Sequence, residues 1–137
     1  MVKVEYSKTT EYMLMKYIEK TSSDIILREE LKLLDSERQV SRALDSLVKK
    51  EKLAKIGYGI YTKLNYSTLV KRTYLPKGFI SLGREALTRL GIPWEISSNE
   101  TAYNEGKTQQ VPVNPATKLL ARFRRKITYK NMELRFE

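Results

Sequence analysis

The chain contains no cysteine and no histidine. Without cysteine there can be no disulfide, no thiolate metal site and no thiol nucleophile. Without histidine, the usual general base, zinc ligand and near-neutral pH switch are also missing. Both absences point away from an enzyme and from a resident cofactor or metal, and they fit a cytoplasmic location. Long apolar runs are absent too: no window approaches the roughly 18 apolar residues of a membrane span. Met1-Val2-Lys3-Val4-Glu5 has an early acid and no apolar centre, so neither secretion nor membrane insertion is expected. There is no internal repeat, heptad run or low-complexity linker, which predicts halves packed into one unit.

What the chain has is positive charge. Its 137 residues carry 26 Lys and Arg against 16 Asp and Glu, a formal charge of +10, with 41% hydrophobic residues. That balance describes a folded basic domain rather than a disordered chain. It attracts polyanions at long range, whether nucleic acid or an acidic protein surface. The excess is uneven. Thirteen basic and ten acidic residues lie up to position 70, and thirteen and six beyond it.

The best-marked stretch is Ser36 to Thr62. Ser36 followed by Gln39 reads as a capping box for a helix whose Val40, Ala43, Leu44, Leu47 and Val48 form one apolar stripe. Arg38, Arg42, Asp45 and Lys49 fall opposite. Two short β-prone runs, Leu53-Ala54-Lys55-Ile56 and Ile60-Tyr61-Thr62, then flank Gly57-Tyr58-Gly59, which tolerates positive φ. Upstream, Ser7 is expected to cap a helix from Lys8 to Lys20, with Thr10, Met13, Leu14, Tyr17 and Ile18 on one face and Tyr12 and Met15 on the other. Ile25-Ile26 reads as an extended link into a second helix over Leu27 to Leu34. Three helices followed by a hairpin predict a winged helix-turn-helix over residues 1–64.

Residues 65–137 read as a small C-terminal α/β extension packed on that domain, giving an α+β chain overall. Extended segments and a turn at Pro76-Lys77-Gly78 precede a short helix capped by Ser81 and ended by Gly91 and Pro93. Thr101 to Pro115 is polar and turn-rich. Alternation from Ile127 to Phe136 predicts a terminal β-hairpin.

Two basic clusters are the candidate binding surfaces. On the third helix Arg38, Gln39, Ser41, Arg42 and Lys49 could enter a major groove, where Arg pairs with guanine and Gln with adenine. The bland reading is a solvated face with Arg42–Asp45 and Asp45–Lys49 pairs at helical spacing. At the wing, Lys55 and Lys63 would meet phosphates and Tyr58 the sugar-phosphate or minor groove. Lys118, Arg122, Arg124, Arg125, Lys126 and Lys130 form an acid-free run. That run fits a second phosphate-binding surface, a dock for an acidic partner, or a solvated junction.

Gln39-Val40-Ser41-Arg42-Ala43-Leu44, Leu47-Val48-Lys49-Lys50 and Ile56-Gly57-Tyr58-Gly59-Ile60-Tyr61 resemble the winged-helix domain of abortive-infection (type IV) antitoxins. Ala102-Tyr103-Asn104, Gly106, Gln110-Val111-Pro112 and Arg122-Phe123-Arg124-Arg125-Lys126 resemble the segment that follows it in small antitoxin-like proteins. The resemblance implies a bacterial double-stranded DNA-binding autorepressor, encoded beside a nucleotidyltransferase-like toxin. A homodimer of such a repressor would read symmetric half-sites. Full-length members carry a larger C-terminal domain than the roughly 70 residues here, and what the resemblance transfers residue by residue is DNA binding, to Arg38, Gln39, Ser41, Arg42, Lys55, Tyr58 and Lys63. Three other readings compete: a basic module that docks an acidic partner such as a toxin, an RNA binder using its nine Tyr, and a magnesium-dependent nuclease built on Glu95, Glu105 and Lys107.

Overall fold

A computed structural model describes residues 9–109 and 115–137 of the chain. The architecture is mixed α+β, with small antiparallel sheets. Helix α1 (Thr10–Lys20) starts where the Thr9 hydroxyl accepts from the Tyr12 amide at 3.2 Å. That bond satisfies one of the donors a helix start leaves open. The expected Ser7 and Lys8 start lies outside the described residues. Met15, expected on the outer face, packs against the core.

Strand β1 (Ile25–Leu27) replaces the expected link and the start of the expected second helix. Leu27 is taken by a sheet ladder, pairing with Ile60, and its amide also donates to Glu30 Oε1 at 2.6 Å. What remains before Asp35 forms a single 3₁₀ turn, Arg28–Leu31, and Leu33 stands fully exposed. Helix α2 (Glu37–Lys49) follows, with the Ser36 hydroxyl accepting from the Gln39 amide at 3.3 Å. Only that half of the capping box forms as expected. The Ser36 amide goes instead to Asp35 Oδ1 at 2.7 Å. Asp35 also accepts from the Thr10 hydroxyl at 2.6 Å. These two hydrogen bonds, the one from Thr10 foremost, hold the Asp35 carboxyl below its ordinary pKa.

Strands β2 (Leu53–Gly57) and β3 (Ile60–Lys63) form a hairpin that joins β1 in the order β1-β3-β2, all antiparallel. Gly57 pairs with Ile60 across a two-residue turn, and Gly59 there adopts φ +69°. A residue with a Cβ would be strained at that angle. The sheet is buried on both faces. On one, Ile26, Leu53 and Tyr61 pack with Leu14 and Ile18 of α1 and Val40, Ala43, Leu44 and Leu47 of α2. On the other, Ile25, Leu27, Ile56 and Ile60 pack with side chains from the second half of the chain. This double burial explains why Ile25-Ile26-Leu27 and Ile60-Tyr61 are continuous apolar runs rather than alternating ones.

The covering layer comes from α3 (Phe79–Arg89), whose Phe79, Leu82, Ala86 and Leu87 join Ile127 and Leu134. Gly78 caps α3, so Ser81 lies inside the first turn rather than at the cap as expected. Gly91 at φ +78° follows the helix end. Before α3, β4 (Asn65–Ser67) and β5 (Arg72–Tyr74) pair as a hairpin. After it, β6 (Trp94–Ile96) pairs with the distant β7 (Thr117–Leu119). Between these strands lies α4 (Ser98–Asn104), where a turn-rich segment was expected to begin. Strands β8 (Thr128–Tyr129) and β9 (Met132–Glu133) form the terminal hairpin. Residues 110–114, including the Gln110-Val111-Pro112 block, lie outside the described residues.

Polar ties join the layers. Arg89 donates to the Ile25 carbonyl at 2.6 Å and pairs with Glu30. Glu30 also accepts from the Tyr17 hydroxyl at 2.6 Å. Burial and that carboxylate together push the Tyr17 pKa up to about 12. Glu85 accepts from the Ser23 hydroxyl at 2.9 Å and the Asp24 amide at 3.2 Å, and pairs with Lys77.

Candidate nucleic-acid interface

Because α2 buries Val40, Ala43, Leu44 and Leu47, helical geometry turns Arg38, Gln39, Arg42 and Lys49 outward, and all four are exposed. Glu37 and Asp45 share this exposed side, so it is mixed in sign rather than uniformly basic. Gln39 and Arg42 border a 250 Å³ cleft together with Thr9, Thr10 and Glu11 of the first helix region. Glu11 is already engaged there, accepting from Ser46 and pairing with Lys50 at 3.0 Å.

Ser41 stands apart from this group. It is only half-exposed, and its hydroxyl accepts from the Arg28 guanidinium. Arg28 in turn donates its backbone amide to the Gly59 carbonyl at 2.9 Å. The 3₁₀ turn therefore pins the β2–β3 turn to α2, a positioning role that sequence spacing did not indicate.

Lys55 is exposed on β2, and Tyr58 projects from the turn with 72% of its surface accessible. Lys63 lies at the other end of the hairpin, opposite Leu53. Its ammonium donates to the Thr21 carbonyl at 2.7 Å, which ties the hairpin to the end of α1.

The second basic cluster divides. Lys118 on β7 pairs with Glu95 in the ladder register, and Lys130 sits at φ +54° in the terminal turn with its ammonium 5.4 Å from the Tyr129 ring. Arg122, Arg124, Arg125 and Lys126 are exposed on the segment leading to β8. This segment runs against the β2–β3 turn. A Cβ added at Gly57 would come within 2.9 Å of the Lys126 carbonyl oxygen. Arg125 donates to the Tyr58 carbonyl at 3.3 Å, and its guanidinium lies 5.6 Å from the Tyr58 ring centroid. Tyr58 of the turn and Arg125 of the C-terminal run thus meet at the hairpin tip. No local signal marks this contact, because Tyr58 and Arg125 are separated by 67 positions.

A cleft of 280 Å³ lies between these parts, lined by Arg28, Lys32, Glu37, Val40, Tyr58 and Arg125 among others. Elsewhere, Glu95, Glu105, Lys107 and Lys118 border a shallow cleft, and Glu105 pairs with Lys107 at 2.8 Å. Among the described residues no three His, Cys, Asp or Glu side chains gather as a metal site would need. No described helix is long and apolar enough to cross a membrane. The chain matches no family model, no curated protein and no solved structure.

Proposed function

We propose that this protein is a sequence-specific double-stranded DNA-binding transcriptional regulator, an autorepressor, with residues 1–64 forming a winged helix-turn-helix and residues 65–137 an extension packed on it. The observation that carries this reading is that α2 exposes Arg38, Gln39 and Arg42 and that Arg28 ties the β2–β3 turn to the same helix through Ser41 and the Gly59 carbonyl. The element order α1, β1, 3₁₀ turn, α2, β2, β3 and the strand order β1-β3-β2 fit it. In this arrangement α2 enters the major groove, its Arg and Gln side chains meet base edges, and the turn reaches the neighbouring backbone. The sequence resemblance extends the proposal to an antitoxin-like component of a bacterial toxin-antitoxin system, acting in the cytoplasm.

Selection from a random duplex library tests this. The expected outcome is a recurring site, of half-site symmetry if the protein acts as a dimer, bound at least about 10³-fold more tightly than random duplex. Recovery of no consensus would remove the sequence-reading role.

A second reading is a basic module that docks an acidic protein such as a nucleotidyltransferase-like toxin. It is favoured by the β4–β5 connection, where Leu69 is 91% and Val70 61% exposed beside Lys71 and Arg72. Exposed apolar side chains next to basic ones suit a contact with an acidic protein better than a phosphate backbone.

A further inference from the structure

We propose that the segment Arg122–Lys126 belongs to the DNA-reading surface, with Arg125 carried by the β2–β3 turn into the minor groove of A·T-rich DNA beside the site that α2 reads. This inference rests on the DNA-binding reading above and adds a second reading element from the other half of the chain.

The argument starts from the turn. A two-residue turn is a narrow projection, and its outermost side chain, Tyr58, is 72% exposed. Arg125 is held against it twice, through the bond to the Tyr58 carbonyl and through the ring beneath its guanidinium. An arginine tethered this way has lost much of the rotamer freedom that binding would otherwise cost. Its other N–H groups have no described protein partner, and the guanidinium is weakly hydrated, so it leaves water more readily than an ammonium. A minor groove about 6 Å wide admits an arginine side chain, and A-tracts narrow it further and deepen the negative potential that attracts the guanidinium.

The flanking charges fit the same placement. Arg124 and Lys126, the neighbours of Arg125 in the chain, are also exposed and add positive charge that attracts phosphates. Lys126 has only a distant, exposed partner in Glu133 at 4.0 Å. The segment lies close against the turn, where Gly57 lets the Lys126 carbonyl approach nearer than a Cβ would allow. The cleft behind the tip is a poorer site for the same polyanion. Its walls include Glu29 and Glu37 as well as Arg28 and Lys32, so phosphate inside it would face two carboxylates.

The test uses the full chain and the duplex recovered by selection, made with either A·T or G·C pairs at the flanking positions. Arg125→Ala should weaken binding about tenfold on the A·T-flanked duplex and little on the G·C-flanked one. Arg125→Lys should restore only part of that loss. Netropsin, a minor-groove ligand of A·T tracts, should compete with the wild-type protein and much less with Arg125→Ala. Arg125 is exposed, so all variants should melt with the wild type, which separates binding from folding. Equal loss on both flanks, with the slope of log K against log salt reduced by about 0.9, would make Arg125 a phosphate contact and overturn the minor-groove assignment. No loss from Arg125→Ala, with Arg42→Ala still impaired, would overturn the inference and leave the regulator reading standing. No loss from either variant would sink both.

Discussion

Leu44 and Asp45 are neighbours in the chain, yet α2 turns one into the core and the other into water. Leu44 is fully buried among α1, α2 and the sheet, whereas Asp45 is exposed. Leu44→Ala should therefore destabilise the fold by about 2–5 kcal/mol, combining lost burial with an unfilled cavity. Asp45→Ala should stay within about 0.5 kcal/mol. Denaturant melts of the two variants check this, and equal effects would contradict the assignment of α2's faces. At this scale the sequence is readable wherever a 3.6-residue period is at work, as in Val40, Ala43, Leu44 and Leu47. It is unreadable where a polar side chain has a distant partner. Spacing alone offers Ser41 and Lys63 as ligand contacts, and it gives no sign of the internal bonds they make to Arg28 and the Thr21 carbonyl.

Elements show a similar divide. Helix α2 and the β2–β3 hairpin are legible because cap, stripe and turn glycines all agree. The stretch from Leu27 to Leu34 is not, since pairing with Ile60 draws Leu27 into a sheet and leaves a single 3₁₀ turn. Helix α4 did carry a readable signal. Ser97 and Glu100 form a full capping box, with Ser97 accepting from the Glu100 amide at 3.2 Å and its own amide donating to Glu100 Oε2 at 3.0 Å. Its shortness and its polar composition hid it.

The carboxylate of Glu100 also receives a two-pronged hydrogen bond from Arg84, at 2.6 and 3.1 Å, joining α4 to α3. That guanidinium holds the Glu100 carboxyl below its ordinary 4.5. A depressed folded pKa means stability that is present above the unfolded value and lost as pH falls through the folded one. Glu85 is also depressed: burial raises its pKa, but the bonds from Lys77 and Ser23 outweigh that. Thermal melts should therefore show stability declining as pH drops below about 4.5. Glu100→Gln should flatten part of that decline and leave the share due to Glu85 and Asp35. An unchanged acid profile in Glu100→Gln would show that the Arg84 pair does not act through this titration.

For the whole molecule, the defining feature is a sheet covered on both faces. One cover comes from α1 and α2, and the other from α3 and the C-terminal strands. Sequence patterning hints at this through continuous apolar strands, but it cannot say which distant segment supplies the second cover. The same packing lays the 122–126 segment along the β2–β3 turn and brings Arg125 to Tyr58. Part of the second basic cluster thus lies beside the turn that carries Tyr58, although Lys118 and Lys130 lie elsewhere.

The central claim is that α2's exposed face reads base pairs, and binding of Arg42→Ala to selected and random duplexes over a range of salt tests it most directly. If Arg42 pairs with a base, the variant should lose about 1–3 kcal/mol on the selected duplex and lose discrimination at one position. Its affinity for random duplex should fall much less. Undiminished affinity and specificity in Arg42→Ala, or an equal loss on both duplexes, would contradict the account.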